Sequence, residues 1–92
     1  MVAGPQTSDT AILSRVIRPD RGDWSKEAAE SILCFDFPSM DIDQMNVLAA
    51  KARDGSLSSE ELAELENYRR AGRLLELLQS KARLSLRRLV SP

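Results

Sequence analysis

The chain has 92 residues, of which 42% are hydrophobic and 29% charged, and its formal net charge is −1. The near-neutral charge excludes a protein that binds nucleic acid through its whole surface. The chain contains no histidine and one cysteine, Cys34. A zinc site of the usual Cys/His kind and an intrachain disulfide are therefore excluded, and the commonest general base is missing. These properties predict a cytoplasmic, non-enzymatic protein without cofactors.

The N-terminal part of the chain has little regular pattern. Residues 1–9 are mostly small or polar, and they predict a flexible leader, not a signal peptide, ahead of a single helical domain over residues 10–92. The apolar run at 11–17 is interpreted as a strand or a buried extended arm, because a run this short shows no decisive periodicity. Pro19 is expected to end this run. No segment is long and apolar enough to span a membrane.

The first of three predicted helices follows a polar turn. Ser25 is expected to be its N-cap, and the helix would extend from Lys26 to about Cys34. Its apolar residues share one face, which indicates that the helix packs on a core. On this interpretation Cys34 is a small buried hydrophobic residue.

The second predicted helix begins after Pro38. Asp41 is expected to be its N-cap, with Met40 and Met45 forming a hydrophobic staple around it. Asp54 would be the last helical residue, because Gly55 can adopt the left-handed conformation that often ends a helix.

The third predicted helix has the clearest beginning. Ser58 and Glu61 have the spacing of a capping box. No residue forces a break before about Leu89, although Gly72 costs about 1 kcal/mol relative to alanine in a helix interior. The mainly α fold therefore consists of an N-terminal arm or strand and three helices, the last two forming an antiparallel hairpin that ends in the long helix.

The distal half of the long helix is rich in leucine. A helix of this length would extend beyond its shorter partner, so some leucines are expected to remain exposed. An exposed apolar patch of this kind indicates a binding surface for a protein or a second copy of the chain. The candidate partner-binding residues are Leu74, Leu75, Leu78, Leu86 and Leu89.

Basic residues also collect at the end of the chain. Residues 1–59 carry six Lys/Arg and nine Asp/Glu, whereas residues 60–92 carry seven and five. The candidate phosphate contacts are Lys81, Arg83, Arg87 and Arg88. Four contacts would give weak, salt-sensitive binding, and no aromatic side chain lies among them to stack on bases. A solvated helix end that complements the helix dipole is the simpler interpretation.

Several segments of the chain have a shared pattern of capping and packing residues. They are residues 14–17, 28–33, 48–52, 55–61, 65–68, 74–83 and 85–86. Together they resemble a family of small uncharacterised bacterial proteins of planctomycete and cyanobacterial type, over roughly residues 12–89. Members of that family are often encoded beside a small HNH-type nuclease. The resemblance implies a two-component arrangement with this chain as the antitoxin-like partner, and it implies no catalytic residues.

Three functional hypotheses follow from these observations. The first is a non-catalytic protein-binding module, such as the antitoxin-like or regulatory partner of an HNH-type nuclease. The second is a small dimeric DNA- or RNA-binding protein that uses its basic C-terminal helix end. The third is a structural helical homo-oligomer. The mass of the purified chain in solution would separate a self-paired leucine face from one that awaits another protein.

Overall fold

The structure is a computed structural model that describes residues 7–90. In this part of the chain it contains four helices and no strand, which confirms the mainly α prediction. The helices are α1 (Asp9–Ile17), α2 (Lys26–Leu33), α3 (Ser39–Asp54) and α4 (Ser59–Val90). They form two compact units. The first contains α1, α2 and the part of α4 from Arg73 onward, and the second covers Asp36–Gly72.

The N-terminal arm is a helix, so the prediction of a strand or extended arm was wrong. The side chain of Ser8 caps α1 by accepting a hydrogen bond from the backbone N–H of Ala11 at 3.1 Å. The helix ends at Ile17, and its C-cap Arg18 has a left-handed φ of 56° and precedes Pro19. A serine cap can thus start a helix directly after the polar leader. Residues 1–6 of the predicted leader lie outside the described residues.

Helix α2 agrees with its prediction. The Ser25 hydroxyl accepts a hydrogen bond from the Ala28 N–H at 3.1 Å, and the helix covers Lys26–Leu33. Ala29 is fully buried. Cys34 is exposed, however, and the expectation that it is buried was wrong. It is the C-cap of α2 and follows the last helical residue, Leu33.

Helix α3 begins earlier than predicted. Its N-cap is Pro38, whose carbonyl accepts hydrogen bonds from the N–H groups of Asp41 and Ile42. Asp41 is therefore not the cap, and Met40, at 81% exposure, forms no staple. Pro38 suits the N-cap position because its backbone is extended there, with φ −57° and ψ 153°, as is typical of a residue that precedes a helix. The helix ends at Gly55 with φ 71°, as predicted.

Side-chain pairs join α3 to the beginning of α4 inside the second unit. They are Asp41 with Tyr68, Gln44 with Glu64, and Lys51 with Glu61. Residues later in α3 contact residues earlier in α4, which is the order expected for helices that run in opposite directions. Leu48 and Leu65 are buried in this unit.

The beginning of α4 contains the predicted capping box. The Ser58 hydroxyl accepts from the Glu61 N–H at 3.1 Å, and the Glu61 carboxylate accepts from the Ser58 N–H at 3.0 Å. From there the helix continues through Gly72 to Val90. No helix among residues 7–90 is long and apolar enough to cross a membrane.

Removing this cap gives a testable prediction. Ser58→Ala is expected to lower the free energy of unfolding by about 1 kcal/mol, because the Glu61 N–H loses its acceptor. The measurement is urea denaturation followed by far-UV circular dichroism. Ser59→Ala changes the adjacent exposed serine and should have little effect. Equal losses in the two variants would show that the capping box does not stabilise α4.

Candidate functional site

The predicted leucine surface lies in the first unit and is largely covered there. Leu74, Leu75, Leu78 and Leu86 are half-buried. Only Leu89 of this set is exposed, at 57%. The side-chain amide of Gln79 helps to hold α2 over this part of α4 by donating to the carbonyls of Ile32 and Phe35, at 3.2 and 2.8 Å.

Helix α1 presents exposed apolar side chains that were not predicted from the sequence. No residue of α1 is buried. Leu13 and Ile17 are half-buried, whereas Ile12 and Val16 are 44% and 71% exposed. Residues spaced by four share one helical face, so α1 is apolar on two faces, and one of them is open. The spacing of four is visible in the sequence, but it places residues on one face only if the segment is a helix, and the segment was predicted to be a strand or extended arm.

Lys81 is not a free cation, contrary to its place among the candidate phosphate contacts. Its side chain is only 7% exposed. The ammonium donates to the carbonyl of Ile17 at 2.6 Å and pairs with the Asp23 carboxylate at 2.9 Å. It also lies 5.0 Å from the centroid of the Trp24 ring, which permits a cation–π interaction. These partners occupy the ammonium, so Lys81 fastens the segment after α1 to α4.

The same segment is held to α4 by a buried serine. The Ser85 hydroxyl accepts from the Trp24 N–H at 3.2 Å and donates to the Lys81 carbonyl at 2.8 Å. Ser85 is fully buried, and so is Ala82 on the same helix. The hydrogen bond from Lys81 also lowers the pKa of Asp23 below its usual range. This cluster is a structural fastening whose polar groups satisfy each other.

The other predicted phosphate contacts are on the surface. Arg83 pairs with Glu76 at 2.9 Å, so its charge is partly compensated. Arg87 and Arg88 are exposed, and neither forms an ion pair with a described residue. The site therefore offers fewer uncompensated positive charges than the sequence indicated, which weakens a phosphate-binding interpretation.

The second unit contains a cavity of about 320 Å³. It is lined by Phe37, Asp41, Glu64, Asn67, Tyr68 and Ala71. The Tyr68 hydroxyl donates to the Asp41 carboxylate at 2.6 Å. The rings of Phe37 and Tyr68 meet edge to face, with centroids 6.3 Å apart and an interplanar angle of 68°. The sequence pattern predicted Asp41 as a helix cap, and no local motif indicates this cavity.

The carboxylates of Asp41 and Glu64 contribute a negative electrostatic potential to this cavity. The hydrogen bond to Asp41 raises the pKa of Tyr68 to about 12, with further contributions from burial and from the charges of Asp41 and Glu64. A phenol with this pKa remains protonated near neutral pH and is poorly matched to general-base work there. Within residues 7–90, no three His, Cys, Asp or Glu side chains are placed to hold a metal ion together.

A larger and mainly apolar cavity of about 590 Å³ also lies in the second unit and shares Tyr68 with the first cavity. Its lining includes Met45, Ala49, Leu65 and the open backbone of Gly72. Arg53 and other polar residues line it as well. Apart from its chain neighbours and the backbone of its own helix, no atom lies within 4 Å of the position that a Cβ atom at Gly72 would take.

Comparisons of the chain with protein-family models, with curated proteins and with solved structures found no match.

Proposed function

We propose that the chain is a non-catalytic protein-binding module that docks a partner protein on the open face of α1. The observation that carries this proposal is that α1 has no buried residue and yet has apolar side chains on two faces. Its outer face presents Ile12 and Val16 to solvent. Burying a fully exposed side chain of this size contributes about 1.5–3 kcal/mol, so a partner that covers the exposed parts of both side chains would gain a part of this for each.

The C-terminal end of α4 adds apolar surface to the same unit. Leu89 and Val90 are 57% and 82% exposed. Arg87 and Arg88 are exposed beside them and would supply a polar rim, as is usual around the apolar centre of an interface. Of the predicted leucines, Leu89 is thus the one best placed to contact a partner directly.

The resemblance to a family encoded beside HNH-type nucleases suggests the kind of partner. In this proposal the chain is the antitoxin-like or regulatory component, and its first unit holds the nuclease. The second unit is an antiparallel helical hairpin of α3 and the beginning of α4. Binding to DNA or RNA is less well supported, because Lys81 is occupied within the protein and Arg83 is paired with Glu76.

A charge on the open face of α1 is the direct test. Val16→Glu is expected to weaken binding to a purified HNH-type nuclease at least about tenfold, because a carboxylate would be desolvated in the interface. Helix formation should not suffer, since glutamate has a higher helix propensity than valine. The measurement is isothermal titration calorimetry, with circular dichroism to verify the fold of each variant.

Val47→Glu supplies the matched control. It introduces the same charge at a 49% exposed valine of α3, in the other unit, and should leave binding unchanged. Equal affinities of wild-type and Val16→Glu proteins would show that α1 is not the docking face. Light scattering is run beside the titration. A dimer that Val16→Glu dissociates would assign the face to self-association and overturn the proposal of a different partner.

A further inference from the structure

The cavity of about 320 Å³ in the second unit combines two aromatic rings with two carboxylates. Phe37 and Tyr68 supply the rings, and Asp41 and Glu64 supply the carboxylates. We propose that this cavity binds an organic cation of the alkylammonium class, such as a free quaternary amine or the methylated lysine side chain of a peptide. This site does not depend on the docking face of α1, which lies in the first unit.

The charge balance of the cavity favours a cation. Neither Asp41 nor Glu64 forms an ion pair with any described residue, and no lysine or arginine lines the cavity. Glu64 accepts a hydrogen bond from the neutral amide of Gln44 at 3.1 Å. Arg70 does not line the cavity itself, but its guanidinium donates a hydrogen bond to the side-chain oxygen of Asn67, which does line it. The two carboxylates therefore have no directly paired cation among the described residues.

The position of Asp41 in the first turn of α3 reduces this negative charge in part. The positive end of a helix dipole amounts to about half an elementary charge. The two negative charges of the carboxylates are larger than this half charge. The raised pKa of Tyr68 comes first from its hydrogen bond to Asp41 and then from burial, and the charges of Asp41 and Glu64 add to it by opposing a phenolate.

The aromatic rings favour an organic cation over a metal ion. The faces of phenylalanine and tyrosine attract cations, and aromatic walls are the usual recognition device for quaternary ammonium groups. The two rings meet edge to face at 68° instead of stacking flat, and both residues line the cavity. Mg²⁺ and Ca²⁺ need several oxygen ligands, and the Asp41 carboxylate already accepts the Tyr68 hydroxyl. The cavity volume suits a small organic group.

The test compares choline with its neutral isostere, in which carbon replaces the ammonium nitrogen. The full chain is titrated with each compound, and binding is followed by the NMR signals of its single tyrosine. We expect choline to bind at least about tenfold more tightly, because only the charged compound gains from the carboxylates and ring faces. Equal binding of the two compounds, or no shift of the Tyr68 signals with choline, would overturn the proposal.

The two sources of the cation are distinguished by a second titration. An acetylated trimethyllysine amide presents the same head group on a side chain. Tighter binding than choline would assign the site to a peptide, and weaker binding would assign it to a free amine. Both outcomes support a cation site, whereas failure of both probes contradicts it.

Asp41→Asn tests the role of charge without changing shape. The asparagine oxygen can still accept from the Tyr68 hydroxyl, but the negative charge is gone. Choline affinity should fall about tenfold. The pKa of Tyr68 should also fall toward its ordinary value of 10.0, because its largest cause of elevation is weakened. This second readout, followed by ultraviolet absorbance, reports the loss of the Asp41 charge, and circular dichroism verifies that the variant is folded.

Asp43→Asn is the matched control, since Asp43 is exposed on the same helix and does not line the cavity. It should leave both choline affinity and the pKa of Tyr68 unchanged. The same loss of choline affinity in both asparagine variants would show that choline responds to the net charge of the chain and not to this cavity. That result would overturn the proposed site.

Discussion

Replacing Lys81 with alanine is expected to lower the free energy of unfolding by about 3 kcal/mol. The lysine joins three partners of the first unit, namely the Ile17 carbonyl, the Asp23 carboxylate and the Trp24 ring. Alanine would leave the carbonyl without its donor and would remove the packing of the buried alkyl chain. Asp23, which is 57% exposed, can be solvated by water, so the loss lies at the lower end of the range for broken buried pairs.

Two variants separate charge from packing in this prediction. Lys81→Met keeps most of the side-chain volume and should lose less stability than Lys81→Ala, by about 1 kcal/mol. Arg83→Ala changes an exposed arginine on the same helix and should have little effect, because surface ion pairs contribute about 0–1 kcal/mol. Chemical denaturation measures all three. A loss in Lys81→Ala no greater than in Arg83→Ala would show that the buried ammonium does not hold the unit together.

The pH dependence gives this ion pair a separate signature. The pKa of Asp23 is lowered in the folded protein from its ordinary value of 3.8, mainly by the hydrogen bond from Lys81. A carboxyl group with a lowered folded pKa stabilises the fold above its unfolded pKa, and the contribution is lost as the pH falls through the folded value. The difference in stability between wild-type and Lys81→Met proteins should therefore narrow in acid.

The features that were predictable from sequence are those fixed by a few neighbouring residues. The caps at Ser25 and Ser58 and the helix end at Gly55 were all identified correctly. Each depends on backbone groups within a few residues, so local chemistry decides the outcome. The predicted cap at Asp41 was wrong, because α3 begins directly after Pro38. The Asp41 carboxylate instead accepts a hydrogen bond from a tyrosine 27 residues further along the chain.

The features that were not predictable depend on contacts between distant residues. Lys81 and Asp23 are far apart in the chain, and nothing in the basic run of α4 marks Lys81 as different from Arg83. Its burial follows from the packing of the segment after α1. The cation-binding cavity likewise needs Phe37, Asp41 and Tyr68 together, and these residues meet only when α3 packs on α4. Periodicity gives the faces of helices but not which polar groups will pair across them.

The segment after α1 also makes a close contact that explains a glycine. A Cβ atom at Gly22 would lie 2.8 Å from Leu84 Cγ and 2.9 Å from both the Leu84 carbonyl carbon and Arg88 Cδ. The arginine side chain can move, but the backbone of α4 cannot do so without disturbing the helix. Gly22→Ala is therefore expected to lower the free energy of unfolding by about 2 kcal/mol, the usual cost of overpacking.

Gly72→Ala makes the same chemical change with the opposite expected sign. Gly72 lies inside α4, and a Cβ atom there would meet no atom within 4 Å other than those of its chain neighbours and the backbone of its own helix. Alanine should raise the free energy of unfolding by about 1 kcal/mol, because it restricts the unfolded chain and favours the helix. Urea denaturation of both variants measures the contrast. Stabilisation by both substitutions would show that the segment around Gly22 does not lie against α4 at the distance described. Helix propensity and the entropy of the unfolded chain alone would then explain the change in stability at both glycines.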